Sequence, residues 1–338
     1  MEQNHADERF IGPMFTGKNV ILLMCWLIAM LAALFVALLK NGAWIAVSLT
    51  DIVNTIFHRD PSSHLQQLIV EMRLPTAVNA LLYGAAMGVA GVLLQRASRI
   101  RAACPTTLGL MPAGVLAYAL AIHYFEELNE WTAVLACILG AGCGLLLACL
   151  LSLAIPMKTA SMRRLIGGLI ASGIAGMTSY IIVIPWHEQP LIMMLSGGYP
   201  TNSVMLPIGL TCCVLCHGIS GWMNGSRGNS VWLAGCCLVL AIVLTGAAIM
   251  TLGNWAFTGL IASALARWLA GQDYRMMVPI AAMAGGTIIS VLNTISYYIV
   301  PPSEVSLGIA TSLIGLPLLV VLIWKEGVRY ANRTHVSA

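Results

Sequence analysis

Long uncharged tracts constrain this chain more than any other feature. Asp, Glu, Lys and Arg are absent from 74–95, 102–125, 131–157, 189–226, 228–266, 276–303 and 305–324. A helix needs about 20 apolar residues to cross the hydrocarbon layer of a bilayer, so the longest tracts must hold two crossings each. Only 9% of the 338 residues are charged and 59% are hydrophobic, whereas a soluble domain carries roughly 25% charged residues. No water-facing surface can be assembled from that inventory. The expected fold class is all-α: a polytopic bundle of about ten transmembrane helices in one domain covering 1–338, with 20–324 embedded in the membrane.

Turns placed at charge and Gly/Pro clusters divide the chain into segments near 20–39, 75–95, 106–125, 131–155, 164–184, 203–221, 230–251, 257–270, 277–299 and 305–324. The run 20–39 is too long for the apolar region of a secretory signal and lacks a small-x-small site before Lys40, so it reads as the first span. The eighth segment cannot cross the bilayer unaided. With the N-terminus inside, the inner side collects Arg9, Lys18, Arg96, Arg99, Arg101, Lys158, Arg163, Arg164, Arg227, Arg267, Arg275, Lys325, Arg329 and Arg333. The outer side keeps Lys40, Arg59 and Arg73. Such a bias sets orientation and puts both termini in the cytoplasm. The outer loops are acidic, and the largest, 41–73, is amphipathic enough for a short surface helix.

Small residues recur at helix-packing spacing: Gly84, Gly88 and Gly91, then Gly140, Gly142 and Gly144, then Gly168, Gly173 and Gly176. Where lipid gives helices no hydrophobic reason to associate, such spacing lets backbones approach closely, and it predicts a tight bundle.

Chemistry leaves few traces. The spans hold almost no ionisable groups, which disfavours an enzyme. No phosphate-cradling G-x-x-x-x-G-K-[ST] occurs, so ATP hydrolysis belongs to another chain, and no cofactor is called for. The basic inner loops follow from orientation and imply a lipid bilayer as partner, not nucleic acid. The ten cysteines lie almost all in apolar runs, where Cys serves as a small apolar residue. Cys212, Cys213, Cys216 and His217, with Cys236 and Cys237 on the next span, form the one candidate soft-metal set. Packing accounts for it better than ligation.

Four stretches together resemble the permease subunits of the iron-siderophore, haem and vitamin B12 ABC importers, the FecCD-type family. Arg73-Leu-Pro75 leading into Leu81-Leu-Tyr-Gly-Ala-Ala-Met-Gly-Val-Ala-Gly-Val-Leu-Leu-Gln95 is similar to the family's R-L-P-R…G-A-x-L-x-x-S-G-x-x-L-Q. Pro105-Thr-Thr-Leu-Gly109 resembles P-x-x-L-G. Gly253, Phe257, Gly259, Leu260 and Arg267 align with G-P-I-G-F-V-G-L-x-x-P-H-x-x-R, and 304–317 is close to E-L-P-x-G-x-x-T-x-x-I-G-x-P. The four fall in order from about 70 to 325.

The resemblance implies a type II ABC importer permease bundle in the inner membrane. Two permease subunits, as a homo- or heterodimer, would enclose a path lined by the fifth and tenth spans, here offering Ser172, Gly173, Gly176, Ser306, Thr311, Ser312 and Gly315. Small, weakly polar groups make a low-affinity lining for a bulky iron chelate. An extracytoplasmic substrate-binding protein would dock at Arg73 and Glu304. A separate ATP-binding cassette ATPase would contact Arg96, Arg99, Arg101, Arg227 and Arg275 and drive alternating access. Gly253, Phe257, Gly259 and Arg267 would form a structural bend, with Gly253 and Gly259 permitting it.

The chain departs from that pattern in three places. Ser263-Ala264 stands for the family's P-H, and Asn254 for the proline of G-P. Two docking arginines are Thr76 and Tyr297. The cytoplasmic coupling loop shrinks to 221–230, which has no acid and has glycines at 221, 225 and 228. A permease with other coupling contacts, an uncoupled structural or regulatory relative, and a metal-ion transporter using the Cys/His set are the readings this leaves open.

Overall fold

The computed structural model describes residues 17–38, 55, 67, 69–70, 74–125, 128–157, 159–186, 205–224, 231–253, 255–299 and 307–336. Among them lie ten helices: α1 Gly17–Leu38, α2 Leu74–Ser98, α3 Leu110–Tyr124, α4 Glu130–Ala154, α5 Ala160–Trp186, α6 Met205–Met223, α7 Val231–Leu252, α8 Thr258–Ala270, α9 Tyr274–Ile299 and α10 Leu307–Val336. Six are long and apolar enough to cross a membrane, namely α1, α2, α4, α5, α7 and α9. At about 1.5 Å per residue, the 13 residues of α8 reach roughly 20 Å, short of a bilayer core of roughly 30 Å.

Burial explains which helix sits where. α2 is apolar or small on every side, and a helix without a polar face belongs in the interior. It is the hub, packed against α7, α8 and α9. α3, α4 and α5 pack on one another as a second group, joined to the hub through α7 against α4. α1 leans on α9, α6 on α7 and α9, and α10 on α8 and α9. The outer faces of α1, α5 and α10 remain apolar and exposed, as with Ile28, Met177 and Leu313.

Close backbone approach makes the hub possible. A Cβ on Gly84 would fall 2.2 Å from the Gly285 carbonyl oxygen of α9, and one on Gly88 equally close to that of Ala281. Gly91 stands against the Gly259 carbonyl of α8, 2.3 Å from where its Cβ would be. The small-residue spacing of α2 is therefore the seam along which α8 and α9 meet it. The other two glycine sets split. Gly140 and Gly144 press on the backbone of Ala113 and Gly109, and Gly168 on that of Thr107, while Gly142, Gly173 and Gly176 have nothing within 4 Å.

Helix ends shift by a few residues at several places and most at α10, which runs to Val336 rather than 324. Two further boundaries bear on the site. The third span starts at Leu110 rather than near 106, because 100–109 is a buried irregular stretch between helices. α6 continues to Met223, so the first three residues of the expected 221–230 loop are helical. The segment 41–73 lies almost entirely outside the described residues.

Candidate functional site

α7 stops where the chain turns left-handed. Gly253 has φ 76° and closes the last turn by donating its N–H to the Ile249 carbonyl at 2.9 Å. Glycine takes this conformation without penalty. Phe257 takes it too, with φ 62°, which is uncommon for a bulky residue. Its carbonyl then accepts from Leu260 and Ile261, both at 3.0 Å, and starts α8.

Irregular backbone inside a membrane protein survives only if its polar groups are paired by protein or face water. Here side chains from α2 and the 100–109 stretch supply the partners. The Tyr83 hydroxyl accepts the Trp255 N–H and donates to the Trp255 carbonyl, each at 3.3 Å. The Tyr83 and Trp255 rings stand 5.6 Å apart, tilted by 49°, within the range of favourable aromatic contact. Thr106 accepts the Phe257 N–H on its hydroxyl at 3.2 Å. Thr107 ties its own stretch together, accepting the Cys104 N–H at 2.8 Å and donating to the Ala102 carbonyl at 2.9 Å. The two irregular stretches, 100–109 and 253–257, are thus joined, and most of their described residues are buried. The Trp255 indole Nε1 has no hydrogen-bond partner among the described residues.

Further along α8 a second clasp forms. Gln95 near the end of α2 donates from Nε2 to the Ser263 hydroxyl at 2.6 Å and accepts from Arg267 Nη2 on Oε1. Ser263 is one of the departures from the family pattern, and its hydroxyl is what Gln95 meets. The bend therefore differs in one part from expectation. Gly253 and Phe257 carry the left-handed turns, whereas Gly259 lies inside α8, where its lack of a side chain admits the Met87 carbonyl at 2.7 Å from a would-be Cβ. Gly259 is a packing glycine, not a hinge.

The expected path residues separate. Gly173 and Gly176 on α5 open to empty space, with Ser172 half-buried beside them. On α10 Ser312 is half-buried, but Thr311 is buried and a Cβ on Gly315 would fall 2.2 Å from the Phe257 Cβ. Thr311 and Gly315 hence turn inward, because α10 packs on α8 with that face. Ser306, Arg73, Glu304 and Arg227 lie outside the described residues.

Among the expected ATPase contacts, Arg99 is exposed, and Arg101 and Arg275 are half-buried. Arg96 is engaged within the chain: Nη2 donates to the Met223 carbonyl at 3.3 Å and the guanidinium lies 5.5 Å from the centre of the Tyr274 ring. Such a cation over an aromatic face is held by the ring quadrupole. The side chains of Cys213 and His217, two members of the candidate soft-metal set, lie outside the described residues. Cys212, Cys216 and Cys237 are buried and Cys236 is exposed. Among the described residues no three His, Cys, Asp or Glu side chains come together to hold a metal.

Residues 28–325 match the FecCD transport family. The chain belongs to that family. It is 26% identical over 295 residues to the iron-uptake system permease protein FeuB of Bacillus subtilis, covering 82% of this chain and 88% of that protein. It is 28% identical over 276 residues to the Fe(3+) dicitrate transport system permease protein FecD of Escherichia coli, covering 76% and 85%. In fold it is similar to an inward-facing structure assigned to the metal-chelate type of ABC transporter, with TM-score 0.69, 21% identity, and coverage of 91% of this chain and 99% of that one. The buried junction of this FecCD chain is built mostly from three of the four stretches that carry the resemblance, through Tyr83, Gln95, Thr106 and 253–267. Tyr83, Gln95, Thr106 and Trp255 carried no assigned role in the sequence. The signal for them was polarity itself, since a hydroxyl or amide inside an apolar run must find a partner.

Proposed function

We propose that this chain is the permease subunit of an ABC importer that moves an iron chelate across the inner membrane, driven by a separate ATPase. The observation that carries the reading is the family match over 28–325, which covers every element of the buried junction. In this reading the assembly also contains a second permease, an ATPase and an extracytoplasmic binding protein, which membership of the family supports. Both termini lie in the cytoplasm, which the Lys/Arg bias supports. The path runs along Ser172, Gly173 and Gly176 of α5 and Ser312 of α10, and the resemblance adds Ser306. Open space beside the two α5 glycines supports this lining. Arg73 and Glu304 meet the binding protein, and Arg99, Arg101, Arg227 and Arg275 meet the ATPase. The short 221–230 segment favours an uncoupled relative as the second reading.

An affinity pull-down of the tagged chain from gently solubilised native membranes, read by mass spectrometry, separates the two. Recovery of a P-loop ATPase and a permease partner is the expected result. Recovery without any ATPase, under conditions that keep a control importer intact, would mean the uncoupled relative.

A further inference from the structure

At the end of the bundle where α2 and α6 finish and α9 begins, one side chain does an unusual job. Asp273 is the residue before α9, and its carboxylate accepts the Arg275 N–H at 3.0 Å, as a capping residue does. The Tyr274 N–H, another donor without a partner inside the helix, is taken by a different element. Asn224, just past the end of α6, accepts it on Oδ1 at 2.9 Å and donates from Nδ2 to Asp273 Oδ1. Arg96 at the end of α2 holds the Met223 carbonyl and covers the Tyr274 ring. The ends of three helices are therefore fastened through one amide and one guanidinium.

We propose that Asn224 is a positioning residue that locks the end of α6 to the start of α9, so that the ends of α2, α6 and α9 move as one body when the ATPase acts on the permease. The inference rests on the importer reading. It answers the difficulty posed by 221–230: a glycine-rich segment is a poor lever, but a segment that leaves from a fastened three-helix end has no need to be stiff along its length. Asparagine suits the post because it presents an acceptor and a donor side by side. An aspartate there would accept the Tyr274 N–H yet set a second carboxylate against Asp273.

The test uses the full complex recovered from native membranes, and Asn224→Asp, Asp273→Asn and the exchanged pair N224D/D273N. In the pair the carboxylate at position 224 accepts the Tyr274 N–H, and the amide at position 273 accepts the Arg275 N–H on its oxygen. The bond between the two side chains reverses, with the amide nitrogen at 273 donating to the carboxylate at 224, so the pair isolates the coupling between the two positions. ATP hydrolysis by the recovered complex should fall at least about tenfold in N224D at unchanged ATPase recovery, a coupling term of about 1.4 kcal/mol per factor of ten, and return to within about twofold of the parent in the pair. D273N alone, whose amide oxygen still accepts from Asn224, should stay near the parent. Hydrogen exchange at the Tyr274 amide should rise in N224D and recover in the pair. Unchanged hydrolysis in N224D, or loss in N224D that the pair does not restore, overturns the proposal. If the parent chain recovers no ATPase, the importer reading fails instead, and the exchange at Tyr274 alone then decides whether Asn224 fastens α6 to α9.

Discussion

Tyr83 does for the α7–α8 break what water does for a surface turn. Its hydroxyl serves both backbone polar groups of Trp255. Losing it leaves the buried N–H unpaired, at about 1–3 kcal/mol, while the carbonyl keeps the Thr258 hydroxyl as donor at 3.3 Å. Tyr83→Phe should therefore lower the thermal midpoint of the detergent-solubilised chain by several degrees. Trp255→Phe should cost less than Tyr83→Phe, since the indole Nε1 it removes has no partner among the described residues. Trp255→Ala opens a cavity at a fully buried position, at about 3–5 kcal/mol, and should be the worst of the three. An equal loss for Trp255→Phe and Trp255→Ala would refute the ordering.

Among elements, α2 is held by what its glycines omit. Gly88→Ala places a methyl group 2.2 Å from a backbone oxygen of α9, which a rigid helix cannot avoid, and overpacking of this kind costs about 1–3 kcal/mol or more. Gly176→Ala meets nothing within 4 Å. The first substitution should reduce the yield of monodisperse protein sharply, and the second should leave it unchanged. α8 depends on its clasp as well as on packing. Gln95→Leu strips the Arg267 guanidinium of its Oε1 partner and Ser263 of its donor, so proteolysis at the α8–α9 turn should accelerate relative to the parent. Equal cleavage rates would mean the clasp adds nothing.

For the whole molecule, the exposed apolar faces of α5 and α10 face lipid, a second subunit or a passage. Cysteine scanning of the assembled transporter tells these apart. Ser172→Cys and Ser312→Cys should react with a water-soluble maleimide above the level of the parent chain, whereas Thr311→Cys, buried against the bundle, should not. Labelling at Thr311 and not at Ser312 would mean that α10 turns the other face to the passage. The same experiment, repeated with ATP and vanadate, should change labelling at Ser172 and Ser312 if alternating access moves α5 and α10.

Apolar tract length and the placement of charge determined the membrane class, the ten helices and most of their ends, because lipid leaves the backbone no partner but itself and each crossing has a minimum length. The seam on α2 was legible for the same reason, as small residues at four-residue spacing have few other uses there. What pairs with what across distant stretches was not legible. Gly253 and Gly259 look alike in the sequence, yet one turns the chain and the other admits a carbonyl. Thr311 and Ser312 are neighbours, yet the packing of α10 on α8 buries only the first. Asn224 lies 49 residues from Asp273, and nothing local to either says they meet. Local pattern reports how each helix stands toward lipid; only the tertiary structure decides which polar group answers which, since those partners come from helices brought together after each has formed.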